Sequence, residues 1–446
     1  MPMGASQDSL RALLLTYAWP PTGGVGVARV LKLAKYLPDH GVTPAVLTVS
    51  NPSVPLQDPS LARDIRPGLE VLRAPTLEPG YGVKSAAWRA DSLQAPNDLA
   101  SRLKASALKM ARNVLIPDPQ VLWQPGVALA LARRLRDPRA DDLLFITAPP
   151  FSSFLAGLVT RVRPKTAIVL DYRDEWSTLR ESYEMIGRIN LLAGPPLERA
   201  LLAVADAVTV ATDAFRERLL KRFKLLSPEI VTTIPNGYDP DDFPAGLPEP
   251  PTDRFVMTYA GTVYKLTRPG GLLHAVRLLH ERSPALAAKL RVRFIGRIVD
   301  TEAHAFDGME RFGVERTGFL PKDQVIPALA SSHVTLVIQP REPGCERIYP
   351  AKMFELMYLG RPVLILSPEG AATQLVGTHR LGTVLPPDDP AAIATYLAAQ
   401  LTAFSEGRFT TKTAPINIEP FHRRSLAGQF AKVFHSAVEH ASRRGA

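Results

Sequence analysis

Residues 346–366 read ERIYPAKMFELMYLGRPVLIL, and this stretch organises the expectation for the whole chain. It predicts a loop, an amphipathic helix and a buried strand in succession. Pro350 suits a first helical turn, where a missing N–H costs nothing. Met353, Phe354, Met357 and Tyr358 recur at helical spacing and are expected to face a core. Gly360 ends the helix, and Pro362 keeps it from resuming. Residues 363–366, VLIL, form the uninterrupted apolar run of a parallel strand covered on both faces. Lys352 and Glu355 stand three residues apart and share a side of the helix. A cation and a carboxylate beside a helix N-terminus suit a sugar nucleotide, phosphate for one and ribose for the other. The alternative reading is an ion pair on the helix surface.

The same strand, turn, helix grammar recurs outward from this stretch. Residues 11–17, RALLLTY, precede Pro20-Pro21-Thr22-Gly23-Gly24-Val25-Gly26, after which Val27, Val30, Leu31, Ala34 and Leu37 mark one helical face. Gly23 and Gly24 suit close approach of a phosphate to backbone N–H groups; a tight turn without a ligand is the alternative. The full dinucleotide fingerprint is missing, which disfavours a nicotinamide cofactor. A second such unit opens at residues 255–260, followed by Gly261, Lys265 and Arg268 ahead of a helix over 271–279. Glycine and cations at that place suggest a second phosphate site, with solvated loop cations as the alternative. Strands are also expected at 43–49, 69–73, 143–147, 167–170, 230–234, 292–296, 314–320, 334–338 and 381–385. Helices are expected at 97–116, 127–136, 391–403 and 423–440. Ser152 or Ser153 is the expected cap of the helix after 143–147. Charged residues after the strand at 167–170, Asp171-Tyr-Arg-Asp174-Glu-Trp176, lie where open α/β sheets place ligand chemistry. A stiff linker is expected over residues 240–253, which hold five prolines by position: 240, 244, 248, 250 and 251.

With 446 residues the chain exceeds what one core commonly serves. Its 42 prolines and 29 glycines, about 16% of residues, stay below the level of a disordered chain. The single cysteine, Cys345, rules out an internal disulfide and fits a reducing compartment. The net charge of +10 admits nucleic acid, an anionic membrane or anionic small substrates. No basic block carries interleaved aromatics, which places nucleic acid last. Residues 143–160 are uncharged and long enough for a membrane span, but Pro149, Pro150, Ser152 and Ser153 turn them into strand, turn and helix. The first residues, MPMGASQDSL, have no apolar core and are not read as a secretory signal. Arg102, Lys104, Lys109 and Arg112 make the helix over 97–116 basic and amphipathic, suited to an anionic membrane surface or to an ordinary solvated face. The expected location is the cytoplasm, with peripheral membrane contact as an option.

The segment E-L-M-Y-L-G-R-P-V-L resembles the E-A-M-A-x-G-x-P-V segment of retaining glycosyltransferases of family four. Pro350, Lys352, Phe354 and Glu355 resemble the P-x-K-x-F-E pattern of one subgroup. Asp171, Arg173, Asp174 and Trp176 resemble that subgroup's D-F-R-D-P-W. Residues 149–154 resemble its P-P-F-S-x-H, with Phe154 at the histidine position. The family's second glutamate is replaced by Arg347, with Glu346 beside it, and the family's sugar-contacting histidine, whose place falls near Arg173, is missing. Residues 201–210 resemble the family's A-D-x-V-T-V-x-S strand, residues 235–239, PNGYD, its P-N-G-V-D, and residues 314–320 its base-recognition segment.

The resemblance implies an α/β protein of the GT-B fold, two Rossmann-like doubly wound domains facing a cleft. The expected domains are residues 1–240 on the acceptor side and 241–420 on the nucleotide-sugar side, with 421–446 a helix crossing back. It implies transfer of a sugar, with retention, from a nucleoside-diphosphate sugar to a hydroxyl acceptor on a glycan, glycolipid or small molecule. Glu355 would hold the ribose; Gly23, Gly24, Gly261, Lys265, Arg268 and Lys352 would hold the diphosphate. Asp174, Arg173 and Lys265 are the expected catalytic residues. No metal and no cofactor are expected, since lysine and arginine neutralise the leaving diphosphate. Two other readings remain at this stage: a non-catalytic relative that binds a nucleotide sugar or docks on membranes, and a GT-B nucleotide-sugar epimerase.

Overall fold

The computed structural model describes residues 9–54, 57–82, 115–137, 141–178 and 188–444. The basic helix expected over 97–116 lies almost wholly outside them. The chain forms two compact units, Met1–Pro235 with Arg424–Ala446, and Asn236–Arg423.

The first unit is built on a seven-stranded parallel sheet in the order β3-β2-β1-β4-β5-β6-β7. Its strands are β1 Leu10–Leu15, β2 Val42–Val49, β3 Glu70–Ala74, β4 Leu143–Ala148, β5 Ala167–Tyr172, β6 Ala207–Val210 and β7 Val231–Thr233. Successive side chains of a strand point to opposite faces. Accordingly Leu13 and Leu15 join one core with Trp123, Val127 and Phe154. Ala12 and Leu14 join the other, with the helix Val25–Tyr36 and the terminal helix Arg423–Arg444. A sheet covered on both faces is what near-continuous apolar runs require. The strand order reverses between β1 and β4, which is the topological switch point of this unit.

The second unit repeats the plan with six strands ordered β10-β9-β8-β11-β12-β13. They are β8 Phe255–Ala260, β9 Leu290–Ile295, β10 Val314–Gly318, β11 Val334–Ile338, β12 Val363–Leu366 and β13 Gly382–Leu385. The VLIL run is β12 as expected: Leu364 and Leu366 belong to one core, Val363 and Ile365 to the other. The switch point here lies between β8 and β11. Among the described residues no helix is long and apolar enough to cross a membrane.

Several local expectations differ. The key helix runs Met353–Leu359, so Pro350 lies ahead of it, accepting a turn hydrogen bond from Met353 N at 3.0 Å. Met353, Phe354 and Met357 are buried, but Tyr358 is 39% exposed and stacks on Tyr238. Leu201 and Leu202 end a helix, Arg188–Leu202, rather than opening a strand. Neither serine caps the helix Ala156–Thr160: Ser152 Oγ donates to Asp118 at 2.6 Å, and Ser153 Oγ is buried without a partner. The proline-rich stretch after residue 239 is anchored to the second unit, Asp242 by Lys322 at 2.6 Å and Glu249 by Arg361 at 2.7 Å. The expected stiff linker is thus fastened to the second unit, because its carboxylates find cations there.

At the centre of the first unit, Arg29 of the helix Val25–Tyr36 pairs with Asp171 of β5 at 2.7 Å, both sealed from solvent. Asp171 also accepts from Thr147 of β4 and Thr209 of β6, each at 2.7 Å. Arg29 donates to the carbonyls of Ile234 and Pro235 at 2.8 and 2.9 Å, and lies 5.0 Å from the Phe430 ring centre. Removing one partner of such a pair strands a buried charge. Asp171→Ala is therefore expected to cost about 3–5 kcal/mol. All four tryptophans precede residue 177 and report on this unit, so urea unfolding followed by their fluorescence measures the loss. An unchanged midpoint would remove the pair from its central place.

Candidate active site

In the second unit, the loops after β8 and β11 leave the sheet at the switch point, where open α/β sheets bind ligands. Gln339, just beyond β11, pins its loop: Nε2 donates to the carbonyls of Cys345 and Ile348 at 3.2 and 3.3 Å. Its Oε1 accepts from Ser367 at 3.1 Å. A Cβ on Gly370 would stand 2.3 Å from the Glu346 carbonyl oxygen, so only glycine lets the two backbones meet there. Glu346 accepts from Gly344 N at 2.9 Å and pairs with Arg347.

This pinned loop delivers Lys352 to the start of the key helix. Its ammonium donates to Glu355 Oε2 at 2.7 Å, and Lys322 approaches Oε1 at 3.4 Å. Lys322 also binds Asp242 at 2.6 Å. The expected Lys352–Glu355 neighbourhood is present, as an ion pair and within a four-residue chain of alternating charge. Burial pushes the Glu355 pKa up, but the two ammonium groups outweigh it and bring it down to about 2. Glu355 is thus an ionised, half-enclosed acceptor. Lys322 was missed in the sequence because 33 positions separate it from Glu355, and only the strand order brings them together.

The loop after β8 carries the other cations. Tyr259 Oη donates to Thr262 O at 3.0 Å, and a Cβ on Gly261 would stand 2.8 Å from that hydroxyl oxygen. Gly296, at φ +129, abuts Gly261 from the end of β9; a Cβ there would lie 2.1 Å from the Gly261 carbonyl oxygen. Lys265 reaches toward the β11 loop, 3.9 Å from Glu342. Arg268 turns the other way and binds Glu302, beyond β9, at 2.9 Å. The two cations expected to act together point to different sides of the loop.

In the first unit, Gly24 has φ +101 and open space around it, a conformation that favours glycine. Gly23 packs on Asp58. The helix that follows has no side-chain N-cap and no acid in its first turn, leaving its N–H groups for an anion. Arg173 bonds the carbonyls of Gly26 at 2.5 Å and of Ala148 at 3.3 Å, and also that of Pro149. It thereby ties the glycine loop to the turn after β4. Asp174 has no hydrogen-bond partner among the described residues, and burial raises its pKa against the pull of Arg173 and Arg29. The far end of this loop is held by Glu198, whose Oε2 accepts from Ser177 N at 3.2 Å. Phe154, where the resembled subgroup has histidine, is fully buried 4.7 Å from the Tyr172 ring centre, so that position belongs to the core.

Two family models match the chain. The glycosyl transferase 4-like domain matches residues 23–237, and the glycosyl transferases group 1 model matches residues 254–402. The chain belongs to the glycosyltransferases. A D-inositol 3-phosphate glycosyltransferase of Stackebrandtia nassauensis is 31% identical over 109 residues, which is 22% of this glycosyltransferase and 24% of that relative. The sucrose-phosphate synthase of Thermosynechococcus elongatus superposes with a TM-score of 0.63 at 15% identity, over 96% of this chain and 98% of that one. The Anabaena protein HepE, solved with UDP and glucose, gives 0.55 at 14% identity, over 97% and 98%. At these identities the two structures establish the fold, a pair of Rossmann-like units of the GT-B type.

The Glu355 pKa fixes the sign of a pH effect in this glycosyltransferase. Its folded value, about 2, lies below the ordinary 4.5, so the pair stabilises the protein above about pH 4.5 and the contribution is lost as pH falls toward 2. The stability gap between the wild type and Glu355→Gln should therefore be widest at neutral pH and narrow steadily below 4.5. Thermal melts from pH 7 to pH 3 measure it, and a gap that stays constant would rule out the pairing.

Proposed function

We propose that the enzyme is a retaining glycosyltransferase of family four that transfers a sugar from a nucleoside-diphosphate sugar to a hydroxyl acceptor. The observation that carries this reading is the grouping of Lys352, Glu355 and Lys322 at the start of one helix, with Lys265 on the adjoining switch-point loop. Glu355 accepts the ribose hydroxyls, since an ionised carboxylate held in place is a strong acceptor. Lys265 and Lys352 neutralise the diphosphate, and Gly261 lets it approach the backbone. Arg268, bound to Glu302, is a second cation at longer range.

In the transfer step the bond between the anomeric carbon and the diphosphate oxygen breaks, and the acceptor oxygen bonds to that carbon. The acceptor proton passes to the leaving phosphate, so no protein base is required for balance. Fixed cations aimed at the charge that develops on the diphosphate supply the stabilisation. On this reading Asp174 orients the acceptor, because its carboxylate accepts no hydrogen bond among the described residues. Arg173 holds the loops and acts as a positioning residue. Gly23 and Gly24 leave open backbone beside the N-terminus of the first unit's own helix Val25–Tyr36, where an anionic group can approach. The acceptor is a glycan, glycolipid or small polyhydroxyl compound.

Thermal shift with UDP, GDP and ADP tests the donor site. At a ligand concentration of about one hundred times Kd the expected stabilisation is about 2.7 kcal/mol, for one base only. Glu355→Ala should abolish the shift, and Lys265→Ala should weaken nucleotide affinity about tenfold or more. No shift with any of the three nucleotides would remove the donor-site assignment.

A further inference from the structure

The second unit carries a concavity of about 590 Å³ lined by His280, Arg291, Glu310, Arg311, Glu315 and Arg316, with Gly313 in its floor. It sits where β9 and β10 begin, at Leu290 and Val314. The loops bearing Lys265 and Lys352 follow the opposite ends of the strands. A strand of six residues spans roughly 20 Å, so this hollow is separate from the proposed donor site.

Its charge pattern is uneven in a specific way. Arg316 is paired with Glu310 at 2.6 Å, and Glu315 lies 3.7 Å from Arg293. Both acids are therefore matched by a cation. Arg291 spends one amino group on the carbonyls of Ala288 and Leu290, at 3.1 and 2.7 Å. Arg311 lies over the Phe312 ring, 4.8 Å from its centre. Neither arginine makes a contact ion pair among the described residues, although Arg291 acts on the Asp253 carboxylate through space. Two guanidinium groups are left with donor capacity turned to one hollow. Arg291 is held by backbone carbonyls, while Arg311 is exposed and rests on the Phe312 ring.

Gly313 keeps the floor open. Its φ is +76, and a Cβ there would lie 2.5 Å from the Leu290 carbonyl oxygen and 3.2 Å from Arg291 Nη1. His280 lines the same hollow, with Nε2 3.3 Å from the Phe312 carbonyl oxygen. The volume falls within the range of small-molecule sites. The wall carries five charged side chains besides His280, which suits a polar ligand better than a lipid chain. The arginines suit a phosphate monoester, and the Glu310 and Glu315 carboxylates are acceptors for hydroxyl groups beside it.

We infer that this hollow, built on Arg291, Arg311 and Gly313, is a second ligand site that binds a phosphorylated sugar. Isothermal titration of the full chain with glucose 6-phosphate, inorganic phosphate and glucose tests it. Saturable binding of glucose 6-phosphate is expected, at least tenfold tighter than inorganic phosphate, with glucose not binding. Arg311→Ala should weaken it tenfold or more, and Arg291→Lys, which keeps the charge but not the fork, should weaken it as well. Lys352→Ala should leave it unchanged, which separates this site from the donor site. Binding that follows Lys352 instead of Arg311, equal affinity for phosphate and the phosphorylated sugar, or no saturation below 10 mM (an order-of-magnitude ceiling of about −3 kcal/mol) would overturn the inference.

Discussion

The buried Arg29–Asp171 ion pair joins the elements at the centre of the first unit. A charge taken out of water is expensive, and the cost is tolerated only where every oxygen and every N–H finds a partner. Arg29 and Asp171 meet that condition by drawing on a helix, three adjacent strands and the chain just beyond a fourth. Because the partners come from segments up to 206 positions apart, the pair is complete only in the native arrangement. It therefore fixes the relation between the sheet and the glycine turn two residues before the helix begins. Arg173 extends the same arrangement outward, clamping that turn to the one after β4. Much of the chemistry legible in the DYRDEW segment is thus spent on positioning, while the Asp174 carboxylate, under the pull of Arg173 and Arg29, accepts no hydrogen bond among the described residues.

The second unit handles charge differently. Its cations and acids sit at the rim of the sheet, largely covered, in a chain where Glu355 is shared by two lysines and Lys322 by two carboxylates. Rigid backbone contacts set their positions. Gly370 against Glu346, Gly261 against Gly296, and the Gln339 amide between two carbonyls make the loops stiff while the side chains at their tips remain adaptable. That division suits a site in which the groups must be pre-placed yet able to change hydrogen-bond partners.

How much of this could be read from the sequence depends on the range of the interaction. Apolar runs such as VLIL and LLFIT state their strands directly, because burial on both faces admits a polar residue only where, as at Thr147, a buried partner receives it. Gly360 and the turn after β1 were legible for the same local reason. Serine as a cap was a sound local inference that failed because Asp118 outcompeted the backbone for Ser152. Lys322 and Glu198 left no local trace, since what matters about each is a partner far along the chain. The same holds for Phe154: its position in a motif suggested chemistry, but packing against Tyr172 decided its role. The motifs carried the family, while the wiring of the site needed three dimensions.

Glu355 serves as the built-in counter-ion of Lys352 and Lys322. On the proposed donor assignment, a diphosphate that draws Lys352 away also frees the carboxylate oxygen that the ribose requires. The two halves of a nucleotide are then sensed together: phosphate alone strands the carboxylate, and ribose alone must compete with a lysine. A ligand offering both makes each exchange favour the other. The protein would thereby reject free phosphate and free nucleoside through the internal bookkeeping of three side chains, with no additional contact devoted to discrimination.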